Sequence, residues 1–415
     1  MRGKAKNAAI RALALALCLS LACILAACQT EVELPEGLES HNTNSAAAVY
    51  YLNPVPEQDA RWQELAARYT QETGVPVTVL SPEEGSYETV LAAEMTKIES
   101  PTLFSVSGME DLTAWEDYIW DLADSELYAD LGLPMLALER GGAVLAVPYS
   151  ASAYGLLVDD GLLKLAGLSA ESINGLLALQ SVAGELVTRQ EELGHGAFAS
   201  MGLRGAADAE NGAALLAGVA ANAEDFKAAW DVYTISGLHV ISELAELSAD
   251  QGVKDFNAGS AVFYLTGSWE YADIRAAKPL AELAVIPIYT GGSGDANRGF
   301  PVKAGDYWWI NKDADLKDIE ATLAFMQWCV SSETGTAAME AMGYFPPYRS
   351  SPLDNLFISA AVAAADKGRT ITVYDDPQPE NWSGINTALA AYAAEEIENV
   401  SFGDWEPVTA AFRGS

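Results

Sequence analysis

Cysteine, histidine and basic residues are all scarce in this chain. Its 415 residues hold four cysteines and three histidines, and 23 lysines and arginines stand against 58 aspartates and glutamates, a formal net charge of −35. A surface this negative repels nucleic acid, phosphorylated ligands and anionic membrane faces as principal partners. His41 lies in a polar stretch near the start, and His195 and His239 share no metal-ligand spacing with each other or with a cysteine. No GxSxG, P-loop or GxGxxG pattern occurs. Asn311-Lys312-Asp313-Ala314-Asp315 lacks the glycine and the distant glutamate of a calcium loop and reads as a helix start. The acidic residues are scattered and single out no glycosidase pair. No catalytic set, metal or cofactor is therefore expected.

One long apolar run is present, from Ala12 to Ala27, interrupted by Ser20 and preceded by Arg2, Lys4, Lys6 and Arg11. That is the length of a signal-peptide core and short of a bilayer span. It ends in Leu25-Ala26-Ala27-Cys28, which resembles the bacterial lipobox, so residues 1–27 are expected to be a lipoprotein signal and Cys28 the lipidated first residue of the mature chain. Cleavage would remove Cys18, Cys23 and four basic side chains but none of the acidic ones. Cys329 would then stand alone, so no intramolecular disulfide is expected. Residues 28–45 carry Glu31, Glu33, Glu36 and Glu39 with no aromatic residue, the composition of a disordered tether.

Half of the residues are apolar, enough for a sizeable core, and the length favours two domains. The body alternates strand and helix. Residues 46–53 read as a strand. Pro56 then opens a helix with Trp62, Leu65, Ala66 and Tyr69 on one face and Gly74 as its stop. Residues 75–80 and 101–108 read as further strands around a helix over 87–98. Apolar runs at 143–150, 261–267, 283–289 and 307–311 read as strands, and 316–342 as helix. Such alternation implies βαβ units and mainly parallel sheets, whose ligands sit beyond the carboxyl ends of the strands. Those ends present Asn53, Glu57, Tyr87, Ser107 and Gly108 as one wall of a site. For Asn53 and Glu57, helix capping is the competing role.

The order of these pieces and several stretches resemble the extracellular solute-binding proteins of ABC transporters, above all the carbohydrate-binding group that includes maltose-binding protein. The stretches are ARWQELAARYTQETGVPV, PTLFSVSG, VPYSASAYGLLVDDGLLKLAG, FNAGSAVFYLTGSWEYADI, YWWINKDADLKDIEATLAFMQWCVSSETG and NWSGINTALAAY. The resemblance implies two α/β lobes joined by crossovers near Ala146–Ser150, Val285–Ile288 and Gly343–Arg349, with residues 46–148 plus 286–344 in lobe 1 and 149–285 plus 345–415 in lobe 2. It implies a monomer that is tethered by lipid to the outer face of the cytoplasmic membrane, holds a sugar between its lobes and delivers it to a permease. Residues 200–222 depart from close relatives in having no aromatic side chain, which leaves Arg204, Asp208 and Asn211 as the polar candidates there.

A neutral sugar offers hydroxyls for hydrogen bonding and apolar C–H faces for aromatic platforms. Trp269 follows a strand through Thr266-Gly267-Ser268, where the glycine would permit a tight turn and set the indole at a helix start. Trp382, in QPENWSG, matches the family's late aromatic contact. Tyr154, Tyr344 and Arg349 flank the expected crossovers, whereas the tryptophans at 62, 115, 120, 309 and 328 read as core. The acidic balance would also suit a polyamine, and a peptide is a further alternative solute. An anchored enzyme acting on polysaccharide is the alternative of a different class.

Overall fold

The computed structural model describes residues 46–105, 112–206, 211–291, 299–373, 381–395 and 404–413. Val49–Leu52 (β1) is buried at every position, as a strand covered on both faces must be. Val77–Leu80 (β2) and Leu103–Phe104 (β3) run parallel to it on either side. The helix Asp59–Thr73 joins β1 to β2 and buries Trp62, Leu65, Ala66 and Tyr69. It stops at Gly74, whose φ of 77° is the left-handed conformation glycine adopts without steric cost. Leu138–Arg140 (β4) and Ala143–Pro148 (β5) add an antiparallel pair.

Across Tyr149 and Ser150 the chain enters a second sheet as Ala151–Asp159 (β6). Gly196–Phe198 (β7), Ala261–Gly267 (β8), Leu283–Ile286 (β9) and Phe300–Ala304 (β10) build on it. Tyr307–Ile310 (β11) then returns to the first sheet, and Thr370–Thr372 (β12) completes the second. The strand orders are β2-β1-β3-β11-β5-β4 and β12-β10-β6-β8-β7, with β9 also paired to β6. Along β6, Tyr154, Leu156 and Val158 enter one apolar cluster and Ala151, Ala153 and Leu157 the other, the period-two signature of a strand buried on both faces.

The chain crosses between sheets at Tyr149–Ser150, at Gly305–Asp306, and between the helices Glu333–Ala341 and Leu356–Ala365. The first and third crossings fall where the family resemblance implies them. They run side by side: Phe345 accepts from Ala151 N, and Tyr348 Oη donates to the Pro148 carbonyl at 3.0 Å. The second does not. Val285 and Ile286 pair with Leu157 and Leu156 inside the second sheet, so the chain crosses back only after β10. An apolar run reads the same whether it ends a strand or leaves a sheet.

Both sheets are mixed. β1, β2 and β3 are parallel as expected, whereas β11, β5 and β4 meet their neighbours antiparallel. The cause is topological. β11 re-enters the first sheet at the carboxyl ends of its strands and so must run back the other way, and β4 turns straight into β5 as a hairpin through Gly141-Gly142. The helix expected over 316–342 is likewise two, Leu316–Ser331 and Glu333–Ala341, broken where Ser332 turns extended and its side chain caps Gly335 N. Cys329, on the first of these, is buried, and burial pushes its thiol pKa well up.

Candidate functional site

Strand direction brings one end of each sheet to the crossings. In the first sheet β1, β2 and β3 end at Asn53, Ser81 and Ser105, and the register of β11 puts Tyr307 at that same end. In the second, Tyr154 pairs with Gly267 and Ala151 with Ala304, so β8 and β10 finish where β6 begins. Parallel pairing adds the ends of β7 and β12. The carboxyl ends therefore gather beside Tyr149–Ser150 and Gly305–Asp306.

Trp269 stands at the end of β8 in the single turn Ser268–Glu270, half-buried, with its ring centroid 5.4 Å from that of Tyr154 in an edge-to-face contact. Tyr154 is only 1 % exposed and supports the indole from below. The turn is held from three sides. Ser268 Oγ accepts from Ala153 N at 3.3 Å, the Ser268 carbonyl accepts from Asn355 Nδ2 at 2.9 Å, and the Glu270 carboxylate accepts from Tyr264 Oη at 2.7 Å and from Thr266 Oγ1. Gly267 makes no tight turn of the expected kind; its φ of −139° is extended backbone open to any residue.

The other candidates divide by what already occupies them. Trp382 is 1 % exposed and donates from Nε1 to the Ala206 carbonyl at 2.6 Å, so it is core in this structure and offers no platform. Asn53 is buried: Nδ2 donates to the Val55 carbonyl and Ser81 Oγ, and Oδ1 accepts from Val55 N, an arrangement that ties the ends of β1 and β2. Asn211 caps the helix Gly212–Val219 through Ala214 N and donates to the Gly202 carbonyl. Arg349 lies on Asp366 in a two-point ion pair of 2.7 and 3.0 Å. The Tyr87 hydroxyl accepts from Ser105 N at 3.0 Å and donates to the Leu52 carbonyl at 3.3 Å; burial raises its pKa. Glu57 and Arg204 are exposed, in the segments that follow β1 and β7. Neither Glu57 nor Asn53 caps a helix, since Val55 and Gln58 hold the cap positions there. Ser107, Gly108, Asp208 and Cys28 lie outside the described residues.

At the crossings Tyr344 belongs to an aromatic nest with Tyr149, Trp308 and Trp62, a grouping the sequence did not reveal. Tyr149 lies 4.8 Å from Trp308 and 5.1 Å from Tyr344 between ring centroids, and Trp62 abuts all three. Trp62 Nε1 and Trp308 Nε1 are buried without a partner in hydrogen-bond geometry. Burial, with Asp306 adding to it, pushes the Tyr344 pKa up to about 12. Asp306 itself is raised by its burial, which Tyr149 and Lys303 partly offset. Its only signal in the sequence was a carboxylate directly before the apolar strand YWWI. Two surface grooves of about 480 and 610 Å³ lie elsewhere, between helices flanking the first sheet, and share no residue with the strand ends. Among the described residues, no group of three or more His, Cys, Asp or Glu side chains is placed to hold a metal ion.

The family profile described as bacterial extracellular solute-binding protein matches residues 64–367. The chain belongs to this family. Among solved structures, this solute-binding protein is similar to the apo-form of RafE from Streptococcus pneumoniae, at 14 % identity and a TM-score of 0.58, over 90 % of this chain and 98 % of that one. It is also similar to a family 1 extracellular solute-binding protein from Alicyclobacillus acidocaldarius, at 12 % identity and a TM-score of 0.59, with 90 % and 98 % covered. A putative binding protein MsmE from Bacillus subtilis in an open conformation matches at 15 % identity and a TM-score of 0.56, with 89 % and 96 % covered. At these identities the likeness is one of fold, the two-lobed α/β architecture. No curated protein matches the chain in sequence. Among the described residues of this solute-binding protein, no helix is long and apolar enough to cross a membrane.

Proposed function

We propose that this solute-binding protein captures a neutral oligosaccharide between two lobes and hands it to an ABC import permease. The lobes are those built on the two sheets, and the cleft is the junction where their strand ends meet. The single observation that carries the reading is Trp269. It is a half-buried indole at a carboxyl strand end, backed by Tyr154 and carried on a turn that hydrogen bonds hold in place. A flat, preorganised aromatic suits the apolar face of a pyranose and has little side-chain entropy to lose on binding. The exposed Glu57 and Arg204 supply polar groups on the two sides. The protein acts by binding and has no catalytic role. Cys28 carries the lipid that holds it, as a monomer, at the outer face of the membrane, with 28–45 as tether.

A thermal-shift screen tests the solute class, with maltotriose, raffinose and stachyose set against spermidine and a short peptide. A ligand at a hundredfold excess over its Kd stabilises the fold by about 2.7 kcal/mol. A rise with a sugar that is recovered intact supports the proposal. A rise with spermidine or peptide alone, or cleavage of the sugar, overturns it. For the anchor, lipid labelling should disappear in Cys28→Ala, and labelling retained on that variant would exclude Cys28.

A further inference from the structure

Gly267 directly precedes the turn that carries Trp269, and its backbone gives no reason for a glycine: φ is −139° and ψ −176°. The reason lies in the side chain two residues on. A β-carbon at position 267 would overlap the edge of the six-membered ring of Trp269 at Cζ3, beside Cε3 and Cη2, with no other group among its nearest neighbours. The indole rests in the space that the missing side chain leaves. We infer that Gly267 is a positioning residue for ligand, the seat that sets the angle of the Trp269 platform; this rests on the reading of Trp269 as a sugar contact.

Neighbouring bonds say what must yield if the seat is filled. The turn is pinned by Ser268, through Oγ to Ala153 N and through its carbonyl to Asn355 Nδ2, and by the Glu270 carboxylate to Tyr264 and Thr266. Tyr154, buried and edge-on to the indole, blocks retreat along the sheet. The strand pairing of Gly267 with Tyr154 holds the α-carbon in place. Rotation of the indole about its own side-chain bonds is the remaining response. An added methyl at 267 therefore tilts the platform without breaking a backbone hydrogen bond, and a tilted ring no longer meets a sugar face squarely.

The test is Gly267→Ala in the whole body, with Trp269 observed directly. In protein labelled with 5-fluorotryptophan, the ¹⁹F resonance of Trp269 is identified by its loss in Trp269→Phe. Gly267→Ala should move that resonance and leave the other tryptophans where they were. With raffinose as probe, or maltotriose if it is the stronger stabiliser in the thermal screen, Gly267→Ala should weaken binding about tenfold, and Trp269→Ala about thirtyfold. In the Trp269→Ala background, Gly267→Ala should cost nothing further, because the ring it displaces is gone. If the single variant unfolds easily, Gly267→Ala combined with Trp269→Ala should recover the melting temperature of Trp269→Ala. A Trp269 resonance that stays in place, or an additive loss in the double variant, overturns the inference. If Trp269→Ala leaves sugar affinity unchanged, the platform reading fails, while the resonance still decides whether Gly267 seats the ring.

Discussion

Two tryptophans, each at the start of a helical segment, have opposite fates. Trp382 is enclosed, with its indole N–H on the Ala206 carbonyl, and its truncation removes both a large buried volume and a hydrogen bond. Trp382→Ala should cost about 3–5 kcal/mol in denaturant unfolding. Trp269 keeps part of its surface in solvent, so its truncation should cost less stability and more affinity than that of Trp382. Equal stability losses would mean that Trp269 is core as well. Asp306 carries a second prediction at this scale. Burial holds its carboxyl above the ordinary aspartate value, so the folded state binds the proton more tightly than the unfolded chain does. Stability from this group is therefore complete below the ordinary aspartate pKa and declines as pH rises through the raised value, with the deficit persisting at neutral pH. Asp306→Asn should raise the melting temperature at pH 7 and change it little at pH 3. A gain of the same size at both would point to a cause other than ionisation.

Between residue and domain, Asn355 joins elements far apart in sequence. Its Oδ1 caps the helix Leu356–Ala365 by accepting from Phe357 N and Ile358 N, while Nδ2 reaches the Ser268 carbonyl beneath Trp269. The helix follows the third crossing, so one side chain links that crossing to the platform turn. Asn355→Ala should cost about 1 kcal/mol through loss of the cap. Asn355→Ser keeps a capping oxygen but no amide for Ser268, and should therefore retain most of the stability while weakening sugar binding. A serine variant with unchanged affinity would show that the link to Ser268 does not hold the platform. The break at Ser332 is of the same kind, a local cap that overrides a long apolar periodicity.

For the whole molecule, three crossings meet around Ser150. Its carbonyl accepts from Gly305 N at 2.9 Å, and its Oγ accepts from Phe345 N at 3.0 Å. A rotation concentrated in such a joint lets each lobe move as a rigid body. Saturating sugar should reduce the radius of gyration in solution scattering with little change in far-ultraviolet circular dichroism. An unchanged radius at saturation would exclude closure.

Local pattern in the sequence carried much of the architecture. Apolar runs placed β1, β2, β8 and β11, helical spacing placed the helix after Pro56, and the tryptophans at 62, 115, 120, 309 and 328 all pack against the core as their contexts indicated. The family was legible too, in stretches such as FNAGSAVFYLTGSWEYADI. Periodicity reports which face of its own element a residue lies on; what comes to cover that face is a matter of long-range packing. The direction of β11, the second crossing at Gly305–Asp306, and the burial of Trp382 while Trp269 stays only half-buried were therefore decided only when the sheets assembled. The same holds for Gly267. Its backbone conformation would accept any residue, and only the indole folded over it requires that it have no side chain.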